Sequence, residues 1–363
     1  MKRILSLSVV FLLLVFAGCE EKIDLTDFEK GKGGNNNIGD TAYINISPYW
    51  TGFNAPEDII VGHDGFIYVA DTKNDRVVLL DLNGKVLGSA SIKNPIALAQ
   101  DYQLNLLVCG QFDTTLSGVP TTVSAVFKLD MFASAHNIAT AQIQRVLPIP
   151  GSGITKQDLR ITYTGVTAFY DNRYYISRSG TENTSIVSPD NSILWIGKKT
   201  LIDGSKRDTL IGRLPNIAPL GTGVISANGI SSIRALNRKN IDFLLTLTGE
   251  NSFKSQWFNY VITAEGESYK SRFGTEDGTA FLSPDRFIRP EGINLDNAGN
   301  IFVADAGKDT VFKFSSRGDL LQKFGGVNNL KEPYAVAFFN RIVYVADKGN
   351  NRIARYILST DVQ

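Results

Sequence analysis

Histidine and cysteine are nearly missing from this chain of 363 residues, which has two of each. That scarcity excludes a histidine-rich zinc centre and leaves at most one disulfide. Neither sign of charge dominates, since 37 Lys and Arg stand against 36 Asp and Glu for a formal +1. No electrostatic footprint for nucleic acid follows from such a balance. A P-loop, a CxxC pair and a dinucleotide glycine fingerprint are absent too. Long apolar runs are also lacking, apart from Ile4–Phe16 behind Lys2-Arg3. That run is too short and too close to the terminus for a membrane span, and it reads as the core of a signal peptide.

What is present is even composition, 43% hydrophobic and 20% charged, enough for a globular core. The clearest pattern is a phrase that returns. Pro290–Leu320 runs Pro-Glu-Gly-Ile, a turn ending in Gly299, the apolar Ile301–Asp305, and an alternating strand closed by Arg317-Gly318. Pro56–Val86 repeats it, with Ile67–Asp71 answering Ile301–Asp305, and Pro333–Tyr356 repeats it again with Val343–Asp347. A sheet of four short strands cannot cover both of its faces alone, so repeats of this length must stack, as the blades of a propeller do.

The phrase resembles the NHL repeat. Its signature is Pro-x-Gly-hydrophobic, then Gly-x-hydrophobic-Tyr-Val-x-Asp, then Asn-x-Arg-hydrophobic. Asp71–Arg76 and Asp347–Arg352 match closely, while Asp305–Val311 departs with Thr310 in the place of Arg. The resemblance implies an all-β, NHL-like β-propeller of four-stranded antiparallel blades. Six inner-strand starts align at Pro56, Pro95, Tyr163, Ala227, Pro290 and Pro333, separated by 39, 68, 64, 63 and 43 residues. Blades one, five and six are therefore compact, and two, three and four carry insertions. The last unit has three strands before the chain ends, which would leave an open edge. Ala42–Ile46 is an unassigned alternating strand at the other end, expected to complete blade six and lock the ring.

Phe16-Ala17-Gly18-Cys19 resembles the bacterial lipoprotein signal, which implies cleavage after residue 18 and a lipid on Cys19. An ordinary secretory signal that happens to carry a cysteine is the other reading. Losing Lys2 and Arg3 leaves 35 basic against 36 acidic residues, a net −1. Lipidated Cys19 would leave Cys109 as the sole thiol, and Cys109 ends an apolar run as a small hydrophobe would. Glu20-Glu21-Lys22 is similar to signals that send lipoproteins to the outer face of the outer membrane. Residues 19–40, rich in Gly and Asn, read as a flexible tether reaching on the order of 25 Å. The propeller would then occupy 41–363.

Alternating strand directions place the turns between first and second, and third and fourth, strands on one side of the disc. The long segments Gly110–Ser124, Ile149–Tyr163, Arg178–Ser192, Leu214–Ala227, Gly249–Gln256 and Gly274–Arg289 fall on the other side, and long loops on a rigid scaffold are where binding resides. At the channel mouth of that side the alignment places Glu57, Asn228, Glu291 and Tyr334. Gluconolactonase-type propellers hold a divalent cation with Glu, Asn and Asp at such a mouth, so the resemblance implies a candidate Ca²⁺ site; solvated polar residues at strand starts are the alternative. Asp71, Asp305 and Asp347 end strands on the same side and read as acceptors for the following turn. Tyr49, Trp50, Phe53, Trp257 and Phe258 could stack on sugar rings or pack between blades. Zinc-dependent amidating lyases of this fold need several histidines, whereas His63 and His136 both fall on the short-turn side. No cofactor other than possible Ca²⁺ is expected. Two functions remain: an envelope-anchored recognition module whose long-loop face binds a protein or a glycan, or a Ca²⁺-dependent lactonase-like or lyase-like enzyme at the channel mouth.

Overall fold

The computed structural model describes residues 42–361, except 201, 203, 205, 220–224, 237–238, 251, 265 and 275–278. The signal segment, Cys19 and the tether lie outside the described residues. Six sheets of four antiparallel strands form a propeller. Blade one is built from Pro56–Val61, Ile67–Asp71, Arg76–Leu80 and Val86–Ser91. The inner strands of the others are Lys93–Gln100, Thr162–Ala168, Ile230–Ala235, Pro290–Leu295 and Pro333–Phe339.

The second strands explain the repeated apolar phrase. Ile67–Asp71, Phe243–Leu247 and Ile301–Asp305 are buried at every position, because each blade is covered on both faces by its neighbours. Six apolar clusters result, each shared by two adjacent blades. Tyr68 and Leu79 meet Leu98 and Leu106 between blades one and two, and Ile59 and Val69 meet Ala335 and Tyr344 between six and one. The core is thus a ring of interfaces, and a gap in any blade would open two of them.

The ring is closed as the strand count requires. Tyr43–Asn45 pairs antiparallel with the last strand, Arg352–Leu358, in the register Tyr43↔Leu358 and Asn45↔Tyr356. Tyr43 is buried, and its ring centroid lies 4.9 Å from that of Phe324 in blade five. One short strand therefore covers the edge of blade six and ties it to blade five.

Two expectations about connections change. Gly110–Ser124 is no loop: Leu106–Leu116 and Val119–Asp130 stay paired out to Leu116↔Val119, leaving Ser117-Gly118 as a two-residue turn. Both turn residues have positive φ, 49° and 82°, the geometry a tight hairpin demands. The run Thr-Thr-Leu-Ser-Gly-Val-Pro-Thr-Thr has the composition of a coil, yet it alternates through a turn. On the opposite side one connection is long, the segment 131–141 of blade two with a 3₁₀ turn at Ile138–Thr140. The remaining long connections lie on the expected face.

Candidate functional site

Each inner strand begins with a bulge. The pairing skips Glu57, Thr164, Glu291 and Tyr334, and in blade two it skips the residues between Lys93 and Ala97. A bulged residue turns its side chain off the ladder, and here the direction is into the channel. In blade four the skipped residue is Ser231, between Ile230↔Leu247 and Ser232↔Thr246. The mouth therefore consists of Glu57, Ile96, Thr164, Ser231, Glu291 and Tyr334.

Asn228 does not belong to that ring. Its phrase Ala-Asn-Gly-Ile mimics Pro-Glu-Gly-Ile three residues too early, ahead of the strand. The Asn228 amide instead donates to the Glu250 carbonyl, while a Cβ on its neighbour Gly229 would collide with the backbone of Gly249. Asn228 thus pins the loop that follows Phe243–Leu247. With the register corrected, the next layer inward holds Asp58, Ala97, Gly165, Ser232, Gly292 and Ala335, small in five of six blades. A Cβ on Gly292 would lie 2.5 Å from the Tyr334 carbonyl oxygen, so the crowding is real.

At the mouth, acids and bases alternate. Lys348 Nζ lies 2.9 Å from Glu57 Oε1 and 3.6 Å from the centroid of the Tyr334 ring. Arg289 lies 5.7 Å from the same ring, with Nε 3.4 Å from Glu291 Oε1 and Nη2 2.7 Å from Glu332 Oε1. Burial, aided by Glu57 and Asp305, pushes the Glu291 carboxyl up to about 7 against the pull of Arg289 and Lys348. A carboxyl poised there can exchange protons near neutrality. The opening behind it is only about 20 Å³, however, too small to enclose a substrate.

The donor set fits Ca²⁺ poorly. Glu57 faces an ammonium and Glu291 a guanidinium, so a cation would have to displace both, and Ser231 stands where an asparagine was expected. Among the described residues no cluster of three or more His, Cys, Asp or Glu is arranged for a metal. Lys348 and Arg289 escape the sequence reading although each adjoins a motif residue, Asp347 and Pro290.

The strand-end aspartates are fully buried. Asp71 accepts from Asn54 N, Asn74 Nδ2 and Arg76 Nε at 2.6–2.9 Å. Asp347 accepts from Lys331 N, Asn350 Nδ2 and Arg352 Nε at 2.7–2.9 Å. Asp305, which lacks the arginine, accepts from the backbone of Ile288, Arg289 and Gly307. Each ties the incoming link to the turn of its own blade. The aromatic candidates are mostly core: Trp257 and Phe258 are fully buried and Trp50 and Phe53 nearly so, while Tyr49 lies under the Arg352 guanidinium at 3.5 Å. Cys109 is free and buried, and burial raises its thiol far above the ordinary range.

The channel opens at its other end, on the short-turn face. A cavity of about 430 Å³ there is lined by Ile60, Ala99, Thr167, Arg234, Asn294 and Ala337, one residue from each inner strand, with His63 and Gln100 at its rim. Arg234 also lines the small opening above, so it forms the partition between the two. His63 stacks on Tyr102 at 4.2 Å, and burial holds its imidazole below the usual range. His136 Nδ1 lies 3.3 Å from Asp64 Oδ2, and that carboxylate also accepts from Tyr68 OH and Gln100 Nε2. Sequence reasoning places both histidines on this face and misses that it carries the larger cavity.

No family model and no curated protein matches the chain. Solved propellers do. The fold is similar to a candidate glucose dehydrogenase of Thermus thermophilus, with TM-score 0.53 and 13% identity over 88% of this chain and 100% of that one. A Bacteroides thetaiotaomicron protein of unknown function gives 0.52 and 15% over 89% and 73%. A candidate gluconolactonase gives 0.51 and 13% over 88% and 92%. Identities this low show a shared six-bladed propeller and nothing finer.

Proposed function

We propose that the chain is a cell-envelope recognition module, held at the outer membrane by a lipid on Cys19, that binds a partner protein through its long-loop face. The observation that carries this reading is the apolar side chains raised on the loops of blades two and three. Val119 at the hairpin tip is 61% exposed, Ile186 90% and Val187 86%. Apolar groups left in solvent are what a protein partner covers; the opposite face exposes Phe132 and Ile262 as well, so the choice of the long-loop face rests on these side chains being raised on its excursions. A glycan would want exposed aromatic platforms, and four of the five loop aromatics are committed to the core.

The test is affinity capture of the lipidated protein from solubilised membranes, run beside an Ile186→Asp/Val187→Asp variant. A stoichiometric partner lost from the variant supports the reading; recovery of the wild type alone, or equal recovery with both proteins, sinks it. Protease shaving of intact cells tests surface display, and complete protection would place the module on an inner face.

The second reading, a Ca²⁺-dependent lactonase-like or lyase-like enzyme at the mouth, draws on the raised Glu291 carboxyl and on the likeness to a candidate gluconolactonase. Calorimetry with Ca²⁺ on the wild type and Glu57→Ala decides it. Heat in the first and none in the second would support the enzyme, and no heat in either removes the metal.

A further inference from the structure

The cavity on the short-turn face has no part in the recognition surface, yet its construction is specific. In the layer of Asp58 the other five blades offer Ala, Gly or Ser. In the layer of Arg234 the others offer Ile60, Ala99, Thr167, Asn294 and Ala337. The one acid and the one base thus come from blades one and four, diametrically opposed in a ring of six. Arg234 Nη2 reaches to 3.7 Å from Asp58 Oδ1, too far for a hydrogen bond, and Nε is buried with no partner among the described residues. Asp58 cannot close the gap by turning, because Ile59 N and Leu98 N hold its oxygens at 2.8 and 2.7 Å.

A guanidinium loosely matched by Asp58, at the floor of a cavity of about 430 Å³ whose other lining acid, Asp296, is taken up by Ala298 N, Asn300 N and Asn300 Nδ2, is a receptor for a planar anion. The Thr167 hydroxyl accepts from Ala235 N at 2.7 Å, which leaves its own hydrogen free to donate. Ile60, Ala99 and Ala337 supply an apolar wall. We infer that this cavity binds a small organic carboxylate, with the carboxylate on Arg234 and Thr167 and the body of the ligand filling the channel toward His63 and Gln100.

The test is calorimetry on the mature protein with acetate, malate and D-galacturonate, and with D-galactose as the neutral partner of the last. At least one carboxylate should bind at millimolar concentration or tighter, and galactose should bind at least tenfold more weakly than galacturonate if galacturonate is among the binders. Arg234→Met should abolish binding. Arg234→Lys, which keeps the charge and loses the fork, should weaken it about tenfold and serves as the readout if the Met variant does not fold. Absence of binding by all three acids, or undiminished affinity in Arg234→Lys and Arg234→Met, overturns the proposal. Ile186→Asp/Val187→Asp should leave carboxylate binding unchanged, so failure here is separable from failure of the recognition reading.

Discussion

Blades five, six and one form one contiguous half of the ring, and blades two, three and four the other. In the compact half the residue paired with the last position before the inner-strand bulge is an aspartate each time: Asp305 opposite Pro290, Asp347 opposite Pro333, Asp71 opposite Pro56. In the elaborated half the corresponding residues are Gln111, Arg178 and Leu247. The aspartate disappears where the four-residue turn gives way to a long excursion. Its task is to hold the incoming link against that turn, and a long loop has no such turn to hold. Blade three rebuilds the tie from other parts: buried Asp190, inside its excursion, accepts from Arg160 and Gln157 of the link. The repeat phrase is therefore the chemistry of holding a ring together, and the half that lacks it is free to carry binding.

If the compact half closes the ring, removing its strap should have the largest effect. Deleting residues 41–47 exposes the edge of blade six and the pocket of Tyr43, and should cost roughly 5 kcal/mol, on the order of 10 °C in melting temperature. An unchanged melting temperature would place closure elsewhere. Asp347→Ala comes next. It strands Arg352, Asn350 and the Lys331 amide around a buried void, at about 3–5 kcal/mol in urea unfolding. Asp305→Ala, with only backbone donors to disappoint, should cost visibly less. Equal losses would mean that the arginine adds nothing to the tie.

The compact half is also the legible half. Pro-Glu-Gly-Ile and Ile-Phe-Val-Ala-Asp give strand, turn and burial together because both faces of every second strand are covered, so the count of six blades and the closure follow from the repeats. Blade four is misregistered in the sequence for a physical reason: Asn228-Gly229 has the same local look as Glu291-Gly292, while the bulge is fixed by pairing with Phe243–Leu247, which no local phrase records. The charge chain at the mouth and the cross-channel Asp58 and Arg234 are hidden because their members lie far apart in sequence. Comparing the two layers below the mouth position by position, in the right register, shows one acid among Ala, Gly and Ser and one base among uncharged residues.

The compact half also gives the mouth its charge, since Glu57, Glu291 and Tyr334 come from blades one, five and six. Glu291 sharpens this with a pH dependence. Its folded pKa of about 7 lies above the ordinary 4.5, so the folded state holds the proton more tightly than the unfolded chain. That contribution is fully present below pH 4.5 and is lost as the pH rises toward 7. Glu291→Gln should flatten the stability profile across this window and be more stable than wild type at pH 8 by about 2 kcal/mol. A wild-type profile with no fall between pH 4.5 and 7 would show that Arg289 and Lys348 fully compensate the buried carboxylate.

The smallest expected effect separates the two halves most cleanly. Replacing Thr114–Thr121 with Asn-Gly would shorten the blade-two hairpin by its exposed outer part while keeping a turn of suitable geometry. Val119 there is largely solvated, and Arg145 still meets the Phe112 ring below the cut, so stability should move by no more than about 0.5 kcal/mol. The same exchange at Thr72–Asp75 in blade one removes the Asn74 donor and the left-handed Asp75, whose φ is 50° and whose carboxylate caps the Asn94 amide. Several hydrogen bonds to buried Asp71 and to the next link would go with it, at a cost of several kcal/mol. Similar losses at both positions would show that the hairpin belongs to the frame of the ring, and its exposed apolar tip would then need an explanation other than a partner.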